Sequence, residues 1–123
     1  QEEILRFVRE LNDWRKGCLY GELHFGRMIR PRPVVCGEHV EEIKYGGEHR
    51  FRSVQTAAYR YRGREVQILV NYLGTEQTPL IELGGKEKSV TVIRDAGGST
   101  QVLPAEGRLE LKLAPRSVAA ILL

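Results

Sequence analysis

Between residues 64 and 73 the chain reads Arg-Glu-Val-Gln-Ile-Leu-Val-Asn-Tyr-Leu. Val66, Ile68, Val70 and Tyr72 fall on one side of an extended backbone, and Glu65, Gln67 and Asn71 on the other; Leu69 is the one exception. A period of two, with β-branched and aromatic residues on the apolar side, predicts a central, half-buried β-strand. Gly63 and Gly74 punctuate its ends.

The same signal recurs on both sides. Residues 51–61 predict one long strand, joined to the next by the Arg62-Gly63 turn as a hairpin. Downstream, strands are predicted at 78–83, 90–94, 100–103, 108–113 and 117–123, with Gly84-Gly85 and Asp95-Ala96-Gly97-Gly98 as turns. The last strand is apolar on both faces, which predicts a covered position rather than an edge. Short strands are expected at 27–29 and 40–44, the second followed by a turn at Gly46-Gly47. Pro31 and Pro33 keep the stretch between them extended.

One segment has the helical period. Over residues 2–20, Ile4, Val8, Leu11 and Cys18 fall on one face, flanked by Leu5 and Trp14. Glu2 and Glu3 at the start and Arg15 and Lys16 near the end suit the helix dipole, and Gly21 is the expected stop. The stripe Ile4, Leu5, Val8, Leu11 and Trp14 is too apolar for a solvated helix. It is expected to fold back on the chain's own sheet rather than pair two copies.

These elements predict a mainly β chain: an antiparallel two-layer β-sandwich of about seven or eight strands with one N-terminal α-helix. The 123 residues are read as a single domain, with the helix in 1–22 and the sandwich in 23–123. The expected core is Val54, Ala58, Val66, Ile68, Val70, Tyr72, Ile81, Val90, Val92, Leu109, Leu111, Val118 and Ala120.

Charge changes this picture little. The formal net charge is +3, and 14 of the 19 basic residues are Arg. Arg50, Arg52, Arg60, Arg62 and Arg64 could make a phosphate-binding surface, but Glu alternates with Arg along the strands, so no nucleic-acid partner is expected. No apolar run is long enough for a membrane-spanning helix, and no membrane partner is expected. The opening Gln-Glu-Glu-Ile is not a signal peptide and lacks an initiator Met, which fits a piece of a longer chain.

Three segments in order carry a resemblance. The first is the charged helix containing Phe7-Val8-Arg9-Glu10-Leu11, running on to Gly26-Arg27-Met28-Ile29-Arg30-Pro31. The second is the strand ending Val70-Asn71-Tyr72, and the third is the terminal Leu113-Ala114-Pro115-Arg116-Ser117-Val118-Ala119-Ala120-Ile121. Together they resemble the C-terminal all-β domain that follows the (β/α)8 catalytic barrel in α-amylase-like and α-galactosidase-like glycoside hydrolases. The helix resembles the last helix of such a barrel. The resemblance implies a non-catalytic accessory domain whose partner is the missing barrel of the same polypeptide. The catalytic carboxylates of such enzymes sit on the barrel, so no catalytic residue carries over.

The residues agree with that absence. Only Asp13 and Asp95 are aspartates, and Asp95 stands where a turn wants one. Glu41-Glu42 reads as a solvated pair. Cys18, His24, Cys36 and His39 are ligand-type residues without the short paired spacing of a zinc site, so no metal and no cofactor is expected. Gly84-Gly85 and Gly97-Gly98 lack the following helix of a phosphate loop. The alternative function is a carbohydrate-binding module stacking sugars on Tyr45, Tyr59 and Tyr61; the competing reading makes Tyr59 and Tyr61 core residues with their hydroxyls at the rim.

Overall fold

The computed structural model describes residues 2–85 and 88–123. The elements in chain order are α1 (Glu2–Lys16), α2 (Tyr20–Phe25), β1 (Arg27–Ile29), β2 (Val34–Val35), β3 (Glu38–Ile43), β4 (Gly47–Arg52), β5 (Gln55–Tyr61), β6 (Arg64–Asn71), β7 (Leu80–Glu82), β8 (Ser89–Ile93), β9 (Thr100–Pro104), β10 (Arg108–Glu110) and β11 (Ser117–Leu122). The chain is mainly β and its strand pairs are antiparallel. A six-stranded sheet runs β1-β5-β6-β11-β8-β9, a three-stranded sheet runs β10-β7-β2, and β3 and β4 form a separate two-stranded ribbon.

The eleven strands among the described residues exceed the expected seven or eight, and one break explains part of the excess. The long strand expected at 51–61 stops at Ser53-Val54. Its first part, as β4, pairs with β3 in the ribbon, while its second part, as β5, pairs with β6. The β5–β6 turn has Arg62 at φ 51° and Gly63 at φ 78°, both left-handed, as a tight two-residue hairpin requires. The strand expected at 108–113 ends at Glu110, yet Leu111 and Leu113 stay buried and bond to the carbonyls of Pro79 and Gln77, at 3.0 and 2.8 Å.

The six-stranded sheet is covered on both faces. Its inner face packs on the three-stranded sheet through Val54, Leu69, Val90, Val92, Ala119 and Ile121, against Val34, Ile81, Leu83, Leu109, Leu111 and Leu113. Its outer face carries Val66, Ile68, Val70, Ile93, Val118 and Ala120, packed with Phe7, Trp14 and Leu19 of the helical segment. The architecture is therefore a β-sandwich with a helical layer outside it. The expected single core divides in two: Val66, Ile68, Val70, Tyr72, Val118 and Ala120 belong to the helix–sheet layer, and Val90, Val92, Ile81, Leu109 and Leu111 to the intersheet layer.

This division corrects the reading of β6. Leu69, the exception to its alternation, lies in the intersheet core, and Gln67 and Asn71, expected to face outward, are fully buried beside it. Both amides are satisfied. Gln67 accepts from the Arg32 amide at 2.9 Å and donates to the Arg32 carbonyl and Thr56 hydroxyl, each at 3.0 Å. Its side chain binds the Pro31–Pro33 segment much as a neighbouring strand would. β11, apolar on both faces, sits between β6 and β8 as expected.

The helix also differs. It ends at Lys16, and after a short link α2 begins at Tyr20 and is closed by Gly26, so Gly21 is no stop. Gly21 is needed for another reason: a Cβ there would lie 2.6 Å from the Tyr61 ring. α1 does dock on the sheet, but through Phe7, Leu11 and Trp14, leaving Ile4, Leu5 and Val8 exposed. The docked face is rotated from the periodic stripe toward Phe7, whose ring is buried against the sheet.

Candidate functional site

The tight approach of α2 to β5 builds a ledge of rings. Tyr20 and His24, four residues apart on α2, stack at 4.2 Å between centroids, and His24 Nδ1–H donates to the Tyr20 carbonyl at 3.0 Å. Phe25 meets Tyr20 edge-on at 5.9 Å and lies 6.5 Å from Tyr61. The Arg62 guanidinium covers Tyr61 at 5.1 Å. Phe25 is 67% exposed, and Tyr20 is exposed as well. On the inner side of α2, buried Glu22 faces Arg64 at 3.9 Å. Glu65 on the adjacent strand holds Arg60. The ledge thus presents aromatic rings with the Arg62 guanidinium over its inner one.

Beside it, on the helix side of the larger sheet, lies an open groove of about 230 Å³ lined by Gln55, Thr56, Ala57, Tyr59, Ile68 and Val70. Tyr59 is its one ionisable lining residue, so the groove holds neither an acid–base pair nor a nucleophile with its base. Exposed Ile4, Leu5 and Val8 of α1 add apolar surface to the helical layer that covers the same sheet face.

Of the three candidate tyrosines, Tyr59 and Tyr61 share the outer face of β5, where the register places them two residues apart on one strand. Tyr59 is half-buried in the helix–sheet layer and Tyr61 is the inner ring of the ledge. Tyr45 stands apart from both, at the turn of the β3–β4 ribbon, 98% exposed and at φ 82°. Tyr20 and Phe25 are not among the residues the sequence nominates, and His24 stands there only as a ligand-type residue. The spacing of Tyr20 and His24 was a usable signal, obscured because Gly21 reads as the end of a helix.

The other candidate sets are dispersed. Cys18 and His24 belong to the helical segment, whereas Cys36 and His39 lie between β2 and the first residues of β3. No group of three or more metal-ligand side chains occurs among the described residues. Each of the five arginines is engaged locally: Arg50 with Glu38 and Glu48, Arg52 with the Val34 carbonyl, Arg60 with Glu65, Arg64 with Glu22, and Arg62 over Tyr61. Asp95 accepts from the Ser99 amide at 3.2 Å; hydrogen bonds from the Ser99 side chain and backbone hold its carboxyl below the ordinary aspartate range. Both features belong to a turn.

Comparison of the chain with protein-family models, curated proteins and solved structures returned no match.

Proposed function

We propose that the chain is a non-catalytic accessory β-sandwich domain of a glycoside-hydrolase-like protein, and that it supports a (β/α)8 catalytic barrel preceding it in the same polypeptide. The observation that carries this reading is the apolar groove on the helix side of the larger sheet, which has surface for packing and no side chains for catalysis. Exposed Ile4, Leu5 and Val8 extend the apolar surface along α1. In this reading α1 lies between sheet and barrel, with Phe7 and Trp14 turned to the sheet and its exposed apolar residues turned to the barrel. The resemblance of the three sequence segments supplies the kind of partner.

The test begins with the reading frame upstream of Gln1, which is expected to encode the barrel. Barrel and chain, co-expressed as separate polypeptides, should then co-purify. Leu5→Asp with Val8→Asp should separate them while leaving the melting temperature of the isolated chain within a degree or two, because both positions are exposed. A frame without a barrel, or a complex indifferent to these substitutions, would show the reading to be wrong.

The aromatic ledge favours a second reading, carbohydrate binding, centred on Tyr61 with Tyr20 and Phe25 rather than on Tyr45 or Tyr59. Exposed Tyr20 and Phe25 with Arg62 beside Tyr61 suit the apolar face and hydroxyl edge of a pyranose. Titration with malto- and galacto-oligosaccharides should give chemical-shift changes at Tyr20, Phe25 and Tyr61 that Phe25→Ala removes. Flat titrations with both series would dismiss it.

A further inference from the structure

Asn12, Arg15 and Lys16 stand at i, i+3 and i+4 near the end of α1, so they share one face of that helix. With His24 of α2 they line an open cavity of about 310 Å³ where the two helices meet. That volume is at the lower end for small-molecule pockets, roughly 300–1,000 Å³. No carboxylate is in the lining: Glu22, the acid of α2, faces Arg64 at 3.9 Å, and Glu10 and Asp13 of α1 lie outside it. Among the described residues, the side chains of Asn12, Arg15 and Lys16 make no hydrogen bond or ion pair. By contrast, Arg50, Arg60, Arg64 and Arg116 each reach a carboxylate. Two cations without a counterion, an amide and an imidazole around one cavity suit an anion.

His24 narrows the choice of anion. Its ring is held by the stack on Tyr20 at 4.2 Å and by the Nδ1–H donation to the Tyr20 carbonyl at 3.0 Å, so Nε2 is the nitrogen left for a ligand. Nε2 accepts from the hydroxyl of a monoanionic phosphate or, when protonated, donates to the dianion. A phosphate monoester, with a second pKa of about 6, supplies both forms near neutral pH. Sulfate has no proton to give, and a carboxylate brings two oxygens where a phosphoryl group brings three.

We propose that the junction of α1 and α2 binds a sugar phosphate. The phosphoryl group sits among Asn12, Arg15, Lys16 and His24, and the sugar lies toward Tyr20, which is 47% exposed. His24 joins the two parts, since it lines the cavity and stacks on a ring of the aromatic ledge. The sugar contact rests on the proposed carbohydrate binding at the ledge; the phosphate contact does not. Basic residues in the last turn of α1 also answer the helix dipole. That role needs neither a cavity nor a histidine from another helix, and the two roles separate experimentally.

The test is an NMR titration of the ¹⁵N-labelled chain with inorganic phosphate, sulfate, glucose and glucose 6-phosphate, at neutral pH and constant ionic strength. Inorganic phosphate should give saturating shifts at Asn12, Arg15, Lys16 and His24 with millimolar affinity. Glucose 6-phosphate should saturate the same signals about tenfold more tightly and also move Tyr20. Arg15→Gln with Lys16→Gln should weaken that binding by about tenfold or more. Shifts that do not saturate, or inorganic phosphate binding no tighter than sulfate, overturn the site. Glucose 6-phosphate no tighter than inorganic phosphate, with Tyr20 unmoved, overturns the sugar assignment. A double variant that melts lower yet binds phosphate as the wild type does assigns Arg15 and Lys16 to the helix dipole and overturns the proposal. The wild-type titrations decide the matter even if the variant folds poorly. Neutral oligosaccharides that fail at the ledge while inorganic phosphate saturates the cavity strike the carbohydrate reading and uphold the phosphate contact.

Discussion

Replacing Asn71 with Leu should destabilise the protein by about 3 kcal/mol or more, although leucine matches the side chain's size and the site is fully buried. Asn71 ends β6 and serves three backbone groups. Its Nδ2 donates to the Thr75 and Ala114 carbonyls, both at 2.9 Å, and its Oδ1 accepts from the Leu73 amide at 3.1 Å. These bonds fasten the loop after β6 to the segment that feeds β11. Arg116 adds a second fastening, through the Leu73 carbonyl at 2.9 Å and the Tyr72 carbonyl at 2.7 Å. Leucine removes both sets of donors and acceptors at Asn71, and each buried backbone group left without a partner costs about 1–3 kcal/mol. Asn71→Asp should be worse: it keeps the acceptor for Leu73 but turns a charged oxygen toward two carbonyls. Urea unfolding should show lower midpoints, aspartate below leucine, with the denaturant slope kept. A leucine variant within about 0.5 kcal/mol of wild type would mean that this junction does not hold the sheet together.

Asn71 also shows where sequence reading succeeded and where it stopped. The alternation through Val66, Ile68, Val70 and Tyr72 located β6 correctly, because a strand of that composition has few other uses. It assigned only one buried face, because Gln67 and Asn71 look like solvent-facing residues. Their burial depends on partners far along the chain, Arg32 and Ala114, which no local pattern shows. Leu69 was the local sign of a second core, and it read as an exception. The stretch from Phe51 to Tyr61 carries strand-forming residues almost throughout; its break at Ser53-Val54 follows from two competing pairings, not from a turn signal. At the candidate site, Tyr61 was legible as an aromatic on a strand face. Tyr20, His24 and Phe25 were not, because their meeting with Tyr61 depends on α2 packing against β5 at Gly21.

Trp14→Ala should cost about 3–5 kcal/mol, the loss usual for an aromatic side chain removed from a packed core. Trp14 is 3% exposed and packs with Phe7 and Leu19 against Val66, Ile93, Val118 and Ala120. Val8, on a different face of the same helix, is 46% exposed. Val8→Asp should therefore change the stability of the isolated chain by less than about 0.5 kcal/mol. The pair tests which face of α1 is docked, since the periodic stripe alone would give Val8 the larger effect. It also separates an intramolecular helix from a helix-mediated dimer. If α1 covers its own sheet, the melting temperature of Trp14→Ala falls equally at every protein concentration, and both proteins sediment as monomers. If α1 bridges two copies, the wild-type melting temperature rises with concentration, because association is part of folding. Val8→Asp would then dissociate the dimer and lower that temperature, and the assignment of Phe7 and Trp14 as the docking face would have to be given up.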